Sequence, residues 1–453
     1  MSVDTSSINY PVKDKLKTKI SVPENHFLIV LALSIPWSEY AELAIADLYR
    51  NRRRSGRKLN IRLHLGAFVL QSLFRWTDRE LEENLNYYSP ARIFCGVEGK
   101  AYDHSAYVKF RGRLTDETVK KFNFSLLKVA TRKGFTGTEF LDFDSTVQEA
   151  NIEYPSDMRM MQSLVRKSNK ILSCLAEAGS YKASGLLKKV EWKKLSKKFK
   201  SYYFAKKSKN GFELKKKIFQ YMERKTAQVL EHIKDMNRII KNHELPWNIK
   251  RDLVHCSEVG PALLKQIRYF IKHKEVAPNK VLSLHAKEVK CISKGKVGTP
   301  YEFGRTTFVG RLPGNYTQVF TGKKVGLADG KSMEQELVEY FEIFDSPPKS
   351  ISGDQGFWSR ENLNACKSVG IEEIGICPRG HKNWLIADEN IEKICNRRSL
   401  VEALIGQLKK RGMGKSKMKS DEMTKLEGQR SSLSLNLSRL ARDLSDRPLK
   451  WAG

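Results

Sequence analysis

One strand signal interrupts the otherwise helical first half of this chain. Thr138 to Val147 carries Phe140, Leu141, Phe143 and Val147 after Gly134 and Gly137, the composition of a buried strand. Backbone N–H and C=O groups in such a strand need partners, and comparable signals return only after Ala286. Glu302 to Val309 and Tyr316 to Phe320 read as strands about a Pro313-Gly314 turn, and Lys349 to Ser352 and Ile371 to Cys377 as two more. Helical patterns at Gln335 to Phe344, Asn362 to Val369 and Leu400 to Lys410 separate these later elements. Strands alternating with helices predict an α/β sheet that is at least partly parallel.

The flanking stretches read as helices. Ile61 to Phe74 has a wide apolar stripe at helical spacing. Thr77 and Glu80 form an S/T-x-x-E capping box, and Asp103 or Ser105 caps a helix running to Leu114. From Tyr154 to about His285 the helical pattern resumes, with Ile218, Met222, Val229, Ile233, Met236 and Ile240 marking one long amphipathic helix. The expected organisation is therefore a helical domain over 1–135, a first strand within 136–155, a helical insertion over 156–285, and the rest of the sheet with C-terminal helices over 286–453. A length of 453 residues accommodates this, at roughly 150 residues per domain.

Charge narrows the partner. Lys and Arg number 82 against 51 Asp and Glu, a net +31, which favours a polyanion, above all the phosphates of nucleic acid. Lys182 to Lys217 contains fourteen Lys, among them Lys193, Lys194, Lys197 and Lys198, against Glu191 and Glu213 alone. Trp192, Phe199, Tyr202, Tyr203 and Phe204 are interleaved with them, as on surfaces that bind nucleic-acid backbones and bases. Arg52, Arg53 and Arg54 form a second basic cluster, either a solvated connector or a grip on phosphates. No run of about 18 uncharged apolar residues signals a membrane span. The first 19 residues lack the apolar stretch of a secretory signal. Seven widely spaced Cys with no C-x-x-C pair support neither a disulfide framework nor a zinc ribbon, so reduced thiols in the cytoplasm are expected.

Three carboxylates stand where such a sheet would gather them. Asp144 lies on the first strand, Asp354 just after the strand ending at Ser352, and Glu402 on the helix that follows. Ligands collect at strand ends in α/β sheets. Hard divalent cations take oxygen donors, and two of them about 3.5–4 Å apart serve in-line phosphodiester displacement. Asp142 would share a sheet face with Asp144 by the period of two and is a rival ligand. Arg398, Glu402 and Lys409 are spaced R-x3-E-x6-K, which puts all three on one helix face. That pattern is either an ion-pair stripe or a metal ligand between two phosphate clamps. Trp358 can stack on a displaced base or pack in a core or lid, and His381 in its basic loop can meet a phosphate or simply lie on the surface.

With these residues in view, the chain resembles a bacterial insertion-sequence transposase of the DDE type, in the group marked by Y-x2-R-x3-E-x6-K. Arg398, Glu402 and Lys409 fit that signature, while Cys395 stands at its Tyr position. The resemblance extends over Asp144-Ser145-Thr146-Val147, Gly353-Asp354-Gln355-Gly356-Phe357-Trp358, Lys294-Gly295-Lys296 and the helical segment from Leu73 to Leu114, roughly residues 55 to 445. It implies an RNase H-like, retroviral-integrase-like mixed sheet as catalytic core, interrupted by the basic helical insertion and preceded by an all-helical DNA-binding domain. It further implies that Asp144, Asp354 and Glu402 are catalytic and hold two Mg²⁺, with Mn²⁺ as a substitute. Arg398 and Lys409 would lie near the phosphates of double-stranded DNA at the transposon ends. The expected activity is binding of terminal inverted repeats, metal-dependent cleavage and strand transfer into target DNA. A homodimer acting at the bacterial nucleoid is expected, with no membrane involved. The alternatives are a non-catalytic DNA-binding protein of transposase descent and a related metal-dependent DNA nuclease.

Overall fold

The computed structural model describes residues 3–4, 22–50, 59–207, 209–239, 245–286, 288–293, 301–322, 331–378 and 389–445. The chain divides into two compact units, Met1–Glu149 with Gly304–Met418 and Glu422–Gly453, and Ala150–Phe303 with Lys419–Asp421.

Seven helices open the first unit: α1 (Phe27–Ser34), α2 (Trp37–Tyr49), α3 (Ile61–Phe74), α4 (Asp78–Tyr87), α5 (Ser89–Cys95), α6 (His104–Arg111) and α7 (Asp116–Arg132). Helix α3 is the hub, buried on nearly every side from Ile61 to Leu73, as an almost wholly apolar helix must be. The Thr77 capping box forms in full: Thr77 Oγ1 accepts from the Glu80 amide at 3.3 Å and Glu80 Oε2 accepts from the Thr77 amide at 2.7 Å. Asp103, not Ser105, caps α6 by accepting from the Ser105 amide at 2.8 Å. Strand β1 (Phe140–Glu149) follows.

The second unit is mostly helical, with α8 (Asp157–Glu177), α9 (Tyr181–Val190), α10 (Trp192–Phe204), α11 (Lys209–Ile239) and α12 (Trp247–His273) around one apolar core. Residues Leu164, Leu172, Met222, Ile233, Cys256 and Leu263 lie in that core. Helices α11 and α12 meet closely at Gly260, where a Cβ would come within 2.2 Å of Leu230. Helix α10 turns Leu195 and Phe199, one turn apart, into the core, which leaves Lys193, Lys194, Lys197 and Lys198 exposed. A short strand, Lys290–Ser293, also belongs here.

The chain then returns to the first unit through β2 (Tyr301–Arg311), β3 (Thr317–Phe320), α13 (Met333–Phe344), β4 (Ser350–Ser352), α14 (Arg360–Ser368), β5 (Glu373–Gly375), α15 (Glu389–Arg397), α16 (Ser399–Leu408) and α17 (Asp421–Leu444). A tight turn over Pro313–Asn315, with Gly314 at φ 69°, joins β2 to β3. The sheet has six strands, in the order Lys290–Ser293, β2, β1, β4, β5, with β3 also paired to β2 off that path. Strands β3, β2 and β1 pair antiparallel, and β4 and β5 run parallel to β1. The fold is thus α/β with a mixed sheet. Leu141, Phe143, Phe308 and Ile351 from the sheet share a core with α1 to α7 and α17. Among the described residues no single helix is long and apolar enough to cross a membrane.

Candidate active site

The site grows from β1, whose residues alternate between two environments. Leu141 and Phe143 point into the apolar core, while Asp142 and Asp144 share the other face. Asp142 is fully buried, opposite Arg311 on β2 and Ser352 on β4. Arg311 Nη2 donates to its Oδ2 at 2.6 Å, and Arg397 Nε and Ser352 Oγ donate to its Oδ1 at 2.8 and 2.7 Å. Both guanidiniums also lie over the Phe140 ring, 4.6 and 4.3 Å from its centre. A carboxylate so fully engaged has no oxygen to offer a cation. The rival suggested by the alternation is therefore the buried counter-ion of two arginines, and it ties β1, β2, β4 and the end of α15 together.

Two residues along the strand, Asp144 is open. Its Oδ1 accepts from the Ser145 amide at 2.7 Å, and its Oδ2 accepts from Arg398 Nη1 at 3.3 Å. The same nitrogen lies 3.9 Å from Asp354 Oδ1. Side-chain exposure is 16% for Asp144, 48% for Asp354 and 29% for Arg398, so solvent reaches all three.

Asp354 is placed by its own short segment. Beta-strand β4 ends at Ser352, and at Gly353 the backbone passes so close to Phe143 that a Cβ would stand 2.7 Å from the ring. Asp354 then caps a tight turn over Gln355–Phe357 by accepting from the Gln355 amide at 2.7 Å. Phe357 anchors the turn, fully buried and edge-on to Phe143 at 4.5 Å between ring centres. Within Gly353-Asp354-Gln355-Gly356-Phe357, glycine permits the approach, phenylalanine fixes the turn, and the carboxylate is left pointing outward. Trp358, next in line, is half-buried against the core of the first unit.

Helix α16 supplies the remaining residues. Its apolar face, Val401, Leu404 and Leu408, packs on Val309 of β2 and Val319 of β3. Val309 is the cross-strand partner of Asp144, so the helix covers the sheet face that carries the aspartate. Arg398 sits at the start of α16. Glu402 follows one turn later and is exposed, and Lys409 is half-buried where the helix widens into a π turn over Lys409–Met413. The structure joins Asp144 and Asp354 through Arg398. Among the described residues, no hydrogen bond or ion pair ties Glu402 into that group.

Cys395, at the signature's Tyr position, faces Cys377 with 3.6 Å between sulfurs. Burial first, then the neighbouring Cys377, pushes its thiol up to about 12. At neutral pH it is a protonated, partly buried side chain. Lys193, Lys194, Lys197 and Lys198 lie on the exposed face of α10, in the second unit. Arg52, Arg53, Arg54, Lys294-Gly295-Lys296 and His381 lie outside the described residues. Neither Arg397 nor Arg311 belongs to a motif legible in the sequence. Arg311 is 169 positions from Asp142 and only strand register brings them together, whereas Arg397 is at least adjacent to the signature residue Arg398.

Residues 16–113 match the family described as Transposase domain (DUF772). The match supports a transposase family. It covers the N-terminal helical region and stops before β1, and a transposase family implies a DNA-processing enzyme with DNA as its partner. No curated protein and no solved structure matches the chain. Inside the matched region Glu82, Asp103 and His104 are the one group of three among the described residues whose ligand atoms all lie close enough together for a metal ion, His104 Nδ1 lying 3.0 Å from Glu82 Oε2 and 3.3 Å from Asp103 Oδ2. Its geometry is that of a helix start: Asp103 caps α6, and Glu82 accepts from the His104 amide at 3.0 Å.

Proposed function

We propose that the chain is a DDE transposase that cuts and joins DNA at the ends of an insertion sequence, with Asp144, Asp354 and Glu402 as catalytic carboxylates. The observation that carries this reading is the meeting of Asp144 and Asp354, from two neighbouring parallel strands, around one guanidinium at 3.3 and 3.9 Å. Two solvent-open carboxylates held by a sheet and a buried turn are hard oxygen donors, the set that Mg²⁺ or Mn²⁺ prefers. The Cys395 thiol, pushed up to about 12 chiefly by burial, adds no soft anionic donor. The pairing β3-β2-β1-β4-β5 within the sheet, with three antiparallel strands followed by two parallel ones, supports an RNase H-like core.

Asp144 and Asp354 would hold the metal pair, with Glu402 completing the set from α16. When bound, such a pair supplies Lewis-acid stabilisation of an in-line phosphodiester displacement. The chain itself positions and neutralises. Arg398, with its forked donors, clamps a backbone phosphate, and Lys409, about three turns along the same helix, contributes a point charge farther out. No covalent enzyme intermediate is needed, because the nucleophile is first water and then the freed 3′-hydroxyl, so rate comes from orientation and charge stabilisation. The helices over 1–135 recognise the terminal inverted repeats. The helical unit after β1, with Lys193, Lys194, Lys197 and Lys198, is an insertion that adds non-specific grip on phosphates. Acting on two ends calls for two copies of the chain.

The test is an assay of the purified chain on duplexes carrying the element's terminal repeat or random sequence, with Mg²⁺ or Mn²⁺. End-specific nicking followed by strand transfer is expected, and Asp144→Asn, Asp354→Asn and Glu402→Gln should each abolish both while end binding persists. Equal cutting of random duplex would favour a nuclease. Full activity in any of the three variants would sink the assignment.

A further inference from the structure

Two consecutive arginines meet two aspartates of the same strand face, and they are held very differently. Arg397 is rooted: its Nε reaches the buried Asp142 at 2.8 Å and its Nη2 donates to Ser350 Oγ at 2.9 Å. Arg398 is not. Its side chain is 29% exposed, and its guanidinium spans two carboxylates at 3.3 and 3.9 Å, the second too long for a hydrogen bond. Because Arg397 pins the backbone at the head of α16, the Arg398 side chain can leave the carboxylates without moving the helix. The Arg398 positive charge thus stands at the carboxylates to which the metal reading gives divalent cations. Like charges cannot share that place in a partly desolvated site without repulsion.

We infer that Arg398 is an exchangeable internal counter-cation: it neutralises Asp144 and Asp354 while DNA is absent, and passes to a backbone phosphate when DNA arrives. Metal loading and DNA binding are then coupled. The guanidinium must be displaced for cations to bind tightly, and phosphate, a stronger partner for its fork than a shared carboxylate edge, draws it away. Coupling of this kind is reciprocal, so the factor by which DNA tightens metal binding equals the factor by which metal tightens DNA binding. The arrangement favours charging the site only on substrate. This inference rests on the metal-site reading above.

The measurement is calorimetric titration of Mn²⁺ into the full chain, with the melting temperature recorded for every variant. In the absence of DNA, Arg398→Gln should bind Mn²⁺ about tenfold more tightly than the unaltered chain, which is about 1.4 kcal/mol. Arg398→Lys, which keeps the charge, should stay close to the unaltered chain. Asp144→Asn should remove the tight binding in any background. Adding a cleavage-blocked duplex should close the gap between Arg398→Gln and the unaltered chain. Asp144-dependent binding that is equal or weaker in Arg398→Gln would overturn the inference and leave the metal site standing, and a gap unchanged by duplex would overturn the transfer to phosphate. Absence of Asp144-dependent Mn²⁺ binding in every variant would defeat the metal-site reading and this inference together.

Discussion

Asp142 and Asp144 stand two residues apart on one face of one strand, and each meets an arginine, yet their surroundings differ in every respect that decides function. Around Asp142 the sheet is closed, and two guanidiniums and a hydroxyl take both oxygens of a carboxylate with no exposure. Around Asp144 the strand has emerged beneath the head of α16, and the Arg398 guanidinium meets Oδ2 at the long distance of 3.3 Å while the side chain keeps 16% exposure. The lesson is that residue type and sheet face do not distinguish a buried structural aspartate from one that solvent can reach. Solvent access does.

The sharpest way to break the comparison is to exchange the two losses. Asp144→Asn should lower end cleavage by at least about a thousandfold, in keeping with several kcal/mol of transition-state stabilisation from a metal site, with the melting temperature unchanged. Asp142→Ala should do the reverse in kind. It strands Arg311 and Arg397 in the interior, a loss of about 3–5 kcal/mol of stability, read as a lower midpoint in urea. Should Asp142→Ala leave stability intact, the distinction between the two aspartates fails.

How far the sequence revealed this depends on whether the signal was local. The capping box at Thr77, a cap at Asp103 or Ser105, the strand around Asp144 and the Pro313-Gly314 turn are all readable, because each is decided by residues a few positions apart. The Gly353 to Phe357 segment is readable as well, and the structure adds the reason for its spacing. What local pattern could not show was register. Nothing near Asp142 in the chain announces Arg311 or Arg397, since only the pairing of β1 with β2 and the return of α15 make them neighbours. The lysine-rich α10 misled in another way. Its apolar residues have two fates that composition does not separate: the i, i+4 pair Leu195 and Phe199 is core, while Phe204 is 84% exposed. Helix α17 hid its role behind polarity. Ser431, Ser432, Ser434, Asn436 and Ser438 are buried, and Asn436 pairs with the backbone of Thr317 on β3 at 2.9 and 2.7 Å. Small polar side chains that bond within the fold look like surface until their partners are known.

A smaller effect sharpens the contrast along α16. If Arg398 clamps the scissile region and Lys409 serves as a distant point charge, Lys409→Gln should reduce the slope of log affinity against log salt by about one, with little change in end preference. A loss of end preference equal to the loss of affinity would instead place Lys409 at a base edge.

The smallest effect concerns Cys395, where the signature residue is absent. A tyrosine there would bring a hydroxyl beside Arg398, whereas the thiol is turned to Cys377 at 3.6 Å and is pushed up to about 12 by burial and by that neighbour. Its raised value keeps it protonated throughout the neutral range, so it is a poor nucleophile there. Cys395→Ser should therefore change cleavage by less than about threefold, within the usual cost of altering one weak partly buried hydrogen bond. Alkylation by iodoacetamide should remain slow at pH 8 in the folded chain and accelerate as pH rises toward 12, because the thiolate is the reactive form. Rapid alkylation at pH 8 that also stops cleavage would show an ionised sulfur at the site, and the carboxylates would no longer be its only anionic groups.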